Sequence, residues 1–455
     1  MKSLYSHNGI KVSEMMDRYM VVNEDTGRWL LTNATGRDIT ISLLERGGDR
    51  NATAEQLAGK YALAFDYALR TVEAFAGNLG KTGILAMESA GNHSVDYEKL
   101  VKRYIHPGNI TIEVTARCNL NCGHCYKKGS RPAVDMAAGL PEKIAADTAA
   151  LDGPPPVIIL SGGEPLLYEN LFDAIRLFAE RGCRTILLTN GTLLDADTAA
   201  ALKLSGVDKV QVSVDGPDPA THDAIRGPGS FEKAKRGIGL LLENGIGAAA
   251  SMTPNGINIR EIDRTIDFVR SAGVREMNFS WITPHGNARD NWEKLRLKTE
   301  DKIWLSDHLE EKARELEGTM RLSGISCTNP AAQLNGRQNR VCALGANLRI
   351  SERGEVYPCD EFHWDSDEIC IGSAADSPLG NIVVNERMVE LRRRVSNRIK
   401  TVEKCIACGI GGLCGGGCPA IAYAGSGSLN STENCSMHKY RIEKHLRAKY
   451  GGGKT

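Results

Sequence analysis

Six stretches typical of buried strands alternate with amphipathic helices in the middle of the chain, and this alternation limits the fold more than any other feature. The predicted strands are NITIEVT, PVIILSG, RTILLTNG, KVQVSVDG, AAASMTP and EMNFSWITP. Strand–helix alternation favours a parallel sheet with right-handed crossovers, and a closed barrel of this type needs eight units. We therefore predict an α/β fold with a partial (β/α)6 TIM barrel over residues 109–320 and a functional site at the carboxyl ends of its strands.

The regions on either side of these strands differ from them in composition. Residues 1–90 contain no cysteine, and RYMVVNEDTGRWLLTN predicts two strands that precede three helices, which is a winged-helix-like order. Residues 91–108 are polar and predict a linker. Residues 321–455 are rich in glycine and cysteine and lack the apolar periodicity of a large core, so we expect bound metal to hold them in place.

The charge and the hydropathy of the chain exclude several classes of partner. Basic and acidic residues number 56 each, so the net charge is zero, which argues against nucleic acid or an anionic membrane as a partner. No apolar run is long enough for a transmembrane helix or a signal peptide. We therefore expect a cytoplasmic protein, in which the 13 cysteines bind metal or clusters rather than form disulfides.

Three cysteines lie close together directly after the first predicted strand. Cys118, Cys122 and Cys125 have the spacing C-x-x-x-C-x-x-C within TARCNLNCGHCY, at a position where barrel enzymes carry active-site loops. A closed zinc site would need a fourth protein ligand, or a water in a catalytic site. An iron–sulfur cubane held by three cysteines would leave one iron open. The spacing alone does not decide between these two sites.

Two later strand ends carry further motifs. SGGEP follows the second strand, and its Gly162 and Gly163 allow a ligand to approach the backbone closely. SVDG ends the fourth strand and places Ser213 and Asp215 near the same rim. Arg226 follows in THDAIRG and is a candidate for binding a carboxylate.

The motifs CNLNCGHC, SGGEP and SVDG together resemble the radical S-adenosylmethionine (SAM) superfamily over roughly residues 109–284. The resemblance implies that the three cysteines hold a [4Fe–4S] cluster whose fourth iron binds SAM through its amino and carboxylate groups. Reductive cleavage of SAM would give a 5′-deoxyadenosyl radical that abstracts a hydrogen atom from the substrate. The residues implied to contact SAM are His124 at the adenine, Gly162, Gly163 and Glu164 at the methionine amino group, Ser213 at the ribose or carboxylate with Asp215 beside it, and Arg226 at the carboxylate.

A second group of cysteines lies near the C-terminus. In chain order its members are Cys342, Cys359, Cys405, Cys408, Cys414, Cys418 and Cys435. This order resembles the SPASM extension of radical SAM peptide-modifying enzymes and implies two auxiliary [4Fe–4S] clusters. By that resemblance the first would be held by Cys342, Cys359 and Cys418, and the second by Cys405, Cys408, Cys414 and Cys435. Zinc sites in a ribbon-like tail are the alternative.

Two fully protein-bound cubanes need eight thiolates, one more than this pattern supplies. Cys327 is the first candidate for the eighth ligand and Cys370 is another, and a third possibility is an open iron that binds a substrate thiolate. We expect Cys183 to be an ordinary buried thiol. The three residues Asp360, Glu361 and Tyr423 flank cluster cysteines, and we interpret them as solvated loop residues rather than as an acid or base.

The order of elements in residues 1–90 resembles the pyrroloquinoline-quinone chaperone-like domain, which binds the leader of a ribosomally made precursor peptide by adding a strand to its sheet edge. With a radical SAM barrel and a SPASM extension, this indicates a maturase that oxidatively cross-links such a peptide, in the first instance by a cysteine thioether. Carbon–carbon cross-linking, oxidative decarboxylation and backbone excision need the same parts. The other hypotheses are a sulfatase-type maturase that oxidises cysteine or serine, and a non-catalytic electron carrier. An external donor such as flavodoxin or ferredoxin would supply electrons to the enzyme.

Overall fold

A computed structural model describes residues 3–15, 17–24, 28–85, 97–127, 133–325, 342–362 and 366–450. Cys327 and the first part of the predicted linker lie outside the described residues. The described residues form an N-terminal sheet with helices, a ten-stranded mixed sheet with helices, and a loop-rich C-terminal region. Within that part of the chain, no helix has the length and the apolar character needed to cross a membrane.

The N-terminal region is a four-stranded antiparallel sheet followed by three helices. The strands, hydrogen-bonded in chain order, are β1 (Ser3–His7), β2 (Ile10–Met15), β3 (Arg18–Asn23) and β4 (Trp29–Thr32). The helices are Ala34–Glu45, Arg50–Tyr61 and Phe65–Lys81. Asn33 and Asp49 begin the first two helices, because each side chain accepts a hydrogen bond from a backbone N–H in the first turn. The β3–β4 hairpin and the three helices confirm the predicted order of two strands followed by three helices.

Strands β1 and β2 are additions that the sequence reasoning missed. They are joined by Asn8 and Gly9, whose φ angles of 46° and 73° lie in the left-handed region. An Asn-Gly pair between alternating apolar residues is a strong hairpin signal, because this dipeptide tolerates two consecutive positive φ angles. The signal was therefore present in the sequence.

The central sheet contains all six predicted strands as parallel neighbours in chain order. They are β5 (Asn109–Thr115), β6 (Val157–Gly162), β7 (Thr185–Thr189), β8 (Lys209–Ser213), β9 (Gly247–Met252) and β10 (Glu276–Phe279). A seventh parallel strand, β11 (Arg321–Gly324), follows β10 at one edge. The sheet order is open rather than closed, which confirms the partial barrel.

Helices cover the outer face of this sheet. The longer ones are Leu140–Ala149, Leu171–Ala179, Ala196–Ser205, Pro219–Arg226, Ser230–Glu243, Ile262–Ser271 and Thr299–Glu315, and the shorter ones are Tyr97–Lys102, Pro165–Leu167, Ile259–Glu261, Asn287–Asp290 and Trp292–Leu295. Their apolar residues recur at helical spacing, as in Ile262, Ile266 and Val269, all of which are buried. Most of the longer helices pack on the outward side chains of the strands to form one core, whereas Ala288 and Leu295 of the two short helices after β10 belong to a separate apolar cluster.

The C-terminal region continues the central sheet rather than forming a separate one. Strand β12 (Asn347–Ile350) pairs in parallel with β5, and β13 (Glu355–Tyr357) and β14 (Gly372–Ser373) extend it antiparallel. The helices of this region are Leu379–Ile382, Glu386–Thr401, Glu403–Ile406, Gly411–Cys414, Pro419–Ser426 and Cys435–Tyr450.

The N-terminal sheet packs against the C-terminal region, although the two are far apart in sequence. Its buried side chains Met15, Met20 and Val22 share an apolar cluster with Ile410, Leu413, Ile442 and Leu446. The Lys11 ammonium donates to the Ile406 carbonyl at 2.8 Å, and the Ser13 hydroxyl donates to the Gly409 carbonyl at 3.1 Å. These contacts place the N-terminal sheet directly beside the cysteines at 405–414.

Candidate functional site at the carboxyl ends of the barrel strands

The cysteine loop, residues 118–125, begins at the carboxyl end of β5 and is held by the end of β6. The Gly163 N–H donates to the Thr115 carbonyl at 2.7 Å, and the Glu164 N–H donates to the Arg117 carbonyl at 2.8 Å. A Cβ atom on Gly162 or on Gly163 would lie 2.2 Å from one of these two carbonyl oxygens. The two glycines are therefore needed because the backbones of the two strand ends approach too closely for a side chain.

The far side of the cysteine loop is held by the THDAIRG segment and by a segment after β10 that the motif analysis had not singled out. The Gly123 N–H donates to the Ile225 carbonyl at 2.8 Å. The backbone N–H of Asn287 donates to the Cys125 carbonyl, and its side-chain amide donates to the Cys122 carbonyl, both at 2.9 Å. The sequence offered no motif for Asn287, because its role depends on the folding of the segment after β10 against this loop.

The three thiols of the loop lie within electrostatic range of one another. Burial raises the pKa of the Cys122 thiol to about 11, Arg226 opposes this rise, and Cys125 and Cys118 add to it. The Cys118 sulfur accepts a hydrogen bond from the Leu120 N–H at 3.4 Å and lies 4.0 Å from the Asn190 amide nitrogen. A bound metal would have to stabilise the thiolate forms, since burial alone disfavours them.

Asp215 and Arg226 form a buried ion pair beside the loop. The Arg226 Nε donates to the Asp215 carboxylate at 2.6 Å, and the Thr253 N–H donates to its other oxygen at 2.8 Å. Burial raises the pKa of Asp215, but Arg226 and His124 together hold it below its usual value. Both carboxylate oxygens are thus occupied by protein groups, and Asp215 acts by positioning Arg226.

His124 is buried against this ion pair, with its Nε2 3.4 Å from the Asp215 carboxylate. Burial lowers the pKa of His124 to about 4, so the imidazole is neutral near pH 7. Its Nδ1 has no hydrogen-bond partner among the described residues. A buried ring nitrogen of this kind is available to a ligand in the site.

Glu164 joins the ends of β6 and β7. Its carboxylate accepts hydrogen bonds from the Thr189 hydroxyl at 2.7 Å and from the N–H groups of Asn190 and Leu166 at 2.8 and 3.1 Å. Burial raises its pKa, although these hydrogen bonds oppose the rise. Ser213, half-buried at the end of β8, pairs with Ser251 of β9 and lies at the same edge of the sheet.

Polar side chains after β7 form a network that sequence reasoning missed. The Asn190 amide donates to Asn119 at 2.9 Å, and the Thr192 N–H and hydroxyl donate to the Asn190 side-chain carbonyl at 2.8 and 2.6 Å. The signal was present in RTILLTNG, because its last residues follow a buried strand in the same way as the SGGEP and SVDG motifs do. This network connects the end of β7 to the cysteine loop.

A buried ionic network ties the cysteine loop to the C-terminal region. The carboxylate of Glu113 on β5 is bound by Lys127 at 2.8 Å and by Arg349 of β12 at 2.6 Å, and Lys127 also pairs with Glu352. Burial raises the pKa of Glu113, but the two cations hold it at about 2. Lys127, two positions after Cys125, is therefore fixed by ion pairs both to β5 of the barrel and to the C-terminal region.

The C-terminal cysteines form two sets. In the first, Cys342 and Cys418 both act on the pKa of Cys359, which burial raises well above its usual value. In the second, Cys408 and Cys435 act on the pKa of Cys405, and Cys405 and Cys408 act on that of Cys414, which burial raises to about 12. Their membership coincides with the two implied ligand sets.

The candidates for an eighth thiolate have different positions. The Cys370 thiol donates to the Gly372 carbonyl at 3.3 Å, within the short strand β14. Cys327 lies outside the described residues. Cys183 is buried at the start of β7, where burial raises the pKa of its thiol.

Three further residues of the sequence analysis lie near the first set. The Glu361 side chain is exposed, which agrees with the interpretation of a solvated loop residue. The Cys359 sulfur lies 3.5 Å from the Asp360 carboxylate. The Tyr423 hydroxyl donates to Glu368 at 2.9 Å.

These thiol sets have the donor chemistry of iron–sulfur clusters. Within the described ranges, no group of three His, Cys, Asp or Glu side chains is arranged to hold one metal ion. Zinc–sulfur bonds of about 2.3 Å would draw the thiolates to within roughly 4 Å of one another. An iron–sulfur cubane is held by cysteine thiolates, and all three sets consist of free cysteines.

Comparison with known proteins identifies two domains. Residues 112–269 match the radical SAM superfamily, and residues 342–409 match SPASM, an iron–sulfur cluster-binding domain. The chain contains a radical SAM domain followed by a SPASM domain. When bound, the cluster and SAM of such a domain supply radical chemistry, and here Cys118, Cys122 and Cys125 would hold the cluster.

The relatives of this radical SAM enzyme differ in what they act on. The AdoMet-dependent heme synthase of Methanosarcina barkeri is 28% identical over 349 residues, which are 73% of this chain and 97% of that protein. The antilisterial bacteriocin subtilosin biosynthesis protein AlbA of Bacillus subtilis is 26% identical over 317 residues, 68% of this chain and 67% of that protein. The crystal structure of Streptococcus suis SuiB bound to precursor peptide SuiA has a TM-score of 0.59 at 15% identity, over 96% of this chain and 100% of that one.

Proposed function

We propose that this radical SAM enzyme oxidatively cross-links a ribosomally synthesised precursor peptide. The observation that carries the proposal is the extent of the fold match. The heme synthase match leaves more than a quarter of this chain uncovered, whereas the likeness to SuiB extends over 96% of it. That extent includes most of the N-terminal sheet and helices, which a small-molecule reaction on the barrel does not require.

The N-terminal sheet has an edge suited to a peptide strand. Strand β4 is at the end of the sheet order, and all four of its residues are half-buried. The Asn23 N–H donates to the Arg28 carbonyl. Hydrogen-bonded and non-hydrogen-bonded pairs alternate along an antiparallel ladder, so the N–H and C=O groups of Leu31, three residues later, point away from β3. A leader that added a strand there would gain main-chain hydrogen bonds and apolar contacts.

A leader bound at β4 would lie beside the second cysteine set. The side chains of Trp29 and Leu31 pack against the apolar cluster that also includes Cys408 and Cys414. The peptide following the leader would then be close to the C-terminal region that borders the barrel. We propose that this arrangement delivers the core peptide to the carboxyl ends of the strands.

The proposed cofactors are SAM and three [4Fe–4S] clusters. Cys118, Cys122 and Cys125 would hold the SAM-binding cluster, and the two C-terminal sets would hold the auxiliary clusters. We propose that Arg226, fixed by Asp215, binds the SAM carboxylate and that neutral His124 provides an adjacent ring nitrogen. We further propose that the enzyme works in the cytoplasm and receives electrons from a flavodoxin or ferredoxin.

The proposed reaction is formation of a cysteine thioether. Transfer of a substrate hydrogen atom to the 5′-deoxyadenosyl radical leaves a carbon radical. When the cysteine sulfur bonds to this carbon, its S–H bond breaks, the proton goes to solvent, and the one electron released would pass to the auxiliary clusters. Carbon–carbon cross-linking, decarboxylation and backbone excision remain alternatives within the same class. A sulfatase-type maturase, which oxidises cysteine or serine without a leader, is an alternative of another class.

The test uses the reconstituted full-length enzyme with SAM, a reductant and the short peptide encoded beside its gene. We expect 5′-deoxyadenosine together with a peptide that has lost two hydrogen atoms per cross-link, read by mass spectrometry. A core peptide without its leader should react poorly, and free leader added separately should restore part of the reaction. Cleavage of SAM with no change in the mass of the peptide would exclude cross-linking, and equal reaction of the leaderless core would favour the sulfatase-type alternative.

A tetrapyrrole is the second candidate substrate, because two AdoMet-dependent heme synthases are each 28% identical to this chain over 349 residues. This alternative predicts that an added iron porphyrin binds the reconstituted enzyme with a shift of its Soret absorption and is consumed in a SAM-dependent reaction. The precursor-peptide proposal predicts neither change.

A further inference from the structure

The segment that connects the two auxiliary cysteine sets has no side chains of its own to hold it. We call residues 414–418 the connecting loop, because Cys414 belongs to the second set and Cys418 to the first. Its three inner residues are glycines with φ angles of 66°, 83° and 73°. Glycine loses more conformational freedom on folding than any other residue, so an outside contact must fix this loop.

Arg398 provides that contact. It lies on the helix Glu386–Thr401 and is fully buried. Its guanidinium donates to the carbonyls of Gly417 at 3.0 Å, Gly416 at 2.9 Å and Ser431 at 2.5 Å. A Cβ atom on Gly416 would lie 3.7 Å both from the Arg398 Cζ and from the Cys405 sulfur, so the guanidinium and this thiol flank the same glycine.

The positive charge of Arg398 lies between the two sets. Burial lowers the pKa of Arg398, and four thiols oppose this, namely Cys405 and Cys414 of the second set and Cys418 and Cys342 of the first. Among the described residues, no carboxylate pairs with Arg398 and its Nε has no hydrogen-bond partner. A buried cation without a counter-ion is costly, and cysteine-ligated clusters on both sides would supply the missing negative charge.

We propose that Arg398 is a positioning residue shared by both auxiliary clusters, which fixes the connecting loop and raises the reduction potentials of the two clusters together. The inference rests on the cluster content proposed above. A fixed cation stabilises the more negative reduced form of a cluster, because net charge and hydrogen bonding set its potential.

The test is an EPR-monitored redox titration of the reconstituted full-length protein. The variants Arg398→Gln and Arg398→Lys both keep a donor, but only lysine keeps the charge. We expect Arg398→Gln to lower the midpoint potentials of both auxiliary clusters and to leave that of the SAM-binding cluster unchanged, with Arg398→Lys closer to wild type. Equal potentials in the two variants, or a shift of one auxiliary cluster alone, would overturn the inference.

Arg392→Gln is the matched control. Arg392 is also fully buried on the same helix, but it donates to the carbonyls of Leu344 and Arg103, and no thiol is among the groups that act on its pKa. We expect it to leave both auxiliary potentials unchanged, and an equal shift in this variant would contradict a specific role for Arg398.

The iron content of the Arg398→Gln variant gives a second test of the inference. If Arg398→Gln binds less iron, both auxiliary clusters should be lost together, about eight irons per chain, while the SAM-binding cluster stays. Loss of one auxiliary cluster alone would overturn the inference. If the wild-type enzyme gave no EPR signals from auxiliary clusters, the proposed cofactor content would be wrong. This outcome is distinct from a failure of the inference about Arg398.

Discussion

The two cysteine regions of this enzyme differ in how the chain brings their thiols together. The cysteine loop spans eight residues and follows one strand, and its backbone is held at the carboxyl ends of that sheet. The C-terminal sets draw on positions between Cys342 and Cys435 and depend on long-range contacts. Local sequence therefore creates the first site, while tertiary packing creates the other two.

The N-terminal sheet contacts the second cysteine set. Lys11 and Ser13 reach the backbone around the cysteines at 405–414, whereas the cysteine loop is held by the barrel itself and by the segment after β10.

The largest effect should come from removing the thiols of the cysteine loop. We expect the triple variant Cys118→Ala, Cys122→Ala, Cys125→Ala to lose SAM cleavage entirely and to bind about four fewer irons per chain. Iron analysis and chromatography of 5′-deoxyadenosine measure both changes. Cys183→Ala, a buried thiol away from all three sets, is the control and should keep wild-type activity. Persistent 5′-deoxyadenosine in the triple variant would refute the assignment.

Removing thiols of the second set should separate the two regions. We expect Cys405→Ala with Cys414→Ala to keep SAM cleavage but to yield no cross-linked peptide, because the substrate radical could no longer deliver its electron. The measurement compares 5′-deoxyadenosine with product mass in the same reaction. A variant that forms product as the wild type does would show that this set is dispensable.

A smaller steric change should disturb the cysteine loop without removing a ligand. In Gly163→Ala the new methyl group would lie 2.2 Å from the Arg117 carbonyl oxygen, which the backbone cannot accommodate without displacement. We expect SAM cleavage to fall at least about tenfold, equivalent to roughly 1.4 kcal/mol of transition-state stabilisation.

Gly239→Ala is the control for this variant. Gly239 lies within the helix Ser230–Glu243 with open space at its Cβ position, so alanine there should stabilise the helix by about 0.5–1 kcal/mol and leave SAM cleavage intact. Wild-type activity in Gly163→Ala would mean that the two strand ends can separate freely.

The smallest effect on chemistry should come from the contact between the N-terminal sheet and the second set. Lys11 is nearly fully buried, pairs with Glu24 at 2.7 Å and donates to the Ile406 carbonyl. Lys11→Met should lower the free energy of unfolding by about 3 kcal/mol, because it leaves Glu24 without its counter-ion. Chemical denaturation measures this change, and SAM cleavage should persist.

Lys60→Met provides the comparison within the same sheet-and-helix region. Lys60 pairs with Asp38, but its side chain is 48% exposed, so its removal should cost less than about 1 kcal/mol. Equal losses in the two variants would argue against a specific contact between the N-terminal sheet and the auxiliary region.

The sequence by itself determined the elements whose signals are local. Alternation of apolar residues produced all six barrel strands, and the spacing of Cys118, Cys122 and Cys125 placed the first site at the end of β5. The hairpin at Asn8 and Gly9 was equally local, although it was overlooked. Such features are readable because period and turn chemistry act over a few residues.

Only the tertiary structure decided which distant groups meet. It placed Asp215 behind Arg226 rather than in the open site, paired β12 with β5, and brought the N-terminal sheet against the auxiliary cysteines. It also buried Arg398 within electrostatic range of thiols from both auxiliary sets. The physical reason is that a charge is buried where the assembled fold supplies opposite charge and hydrogen bonds, and no short stretch of sequence records where that will be.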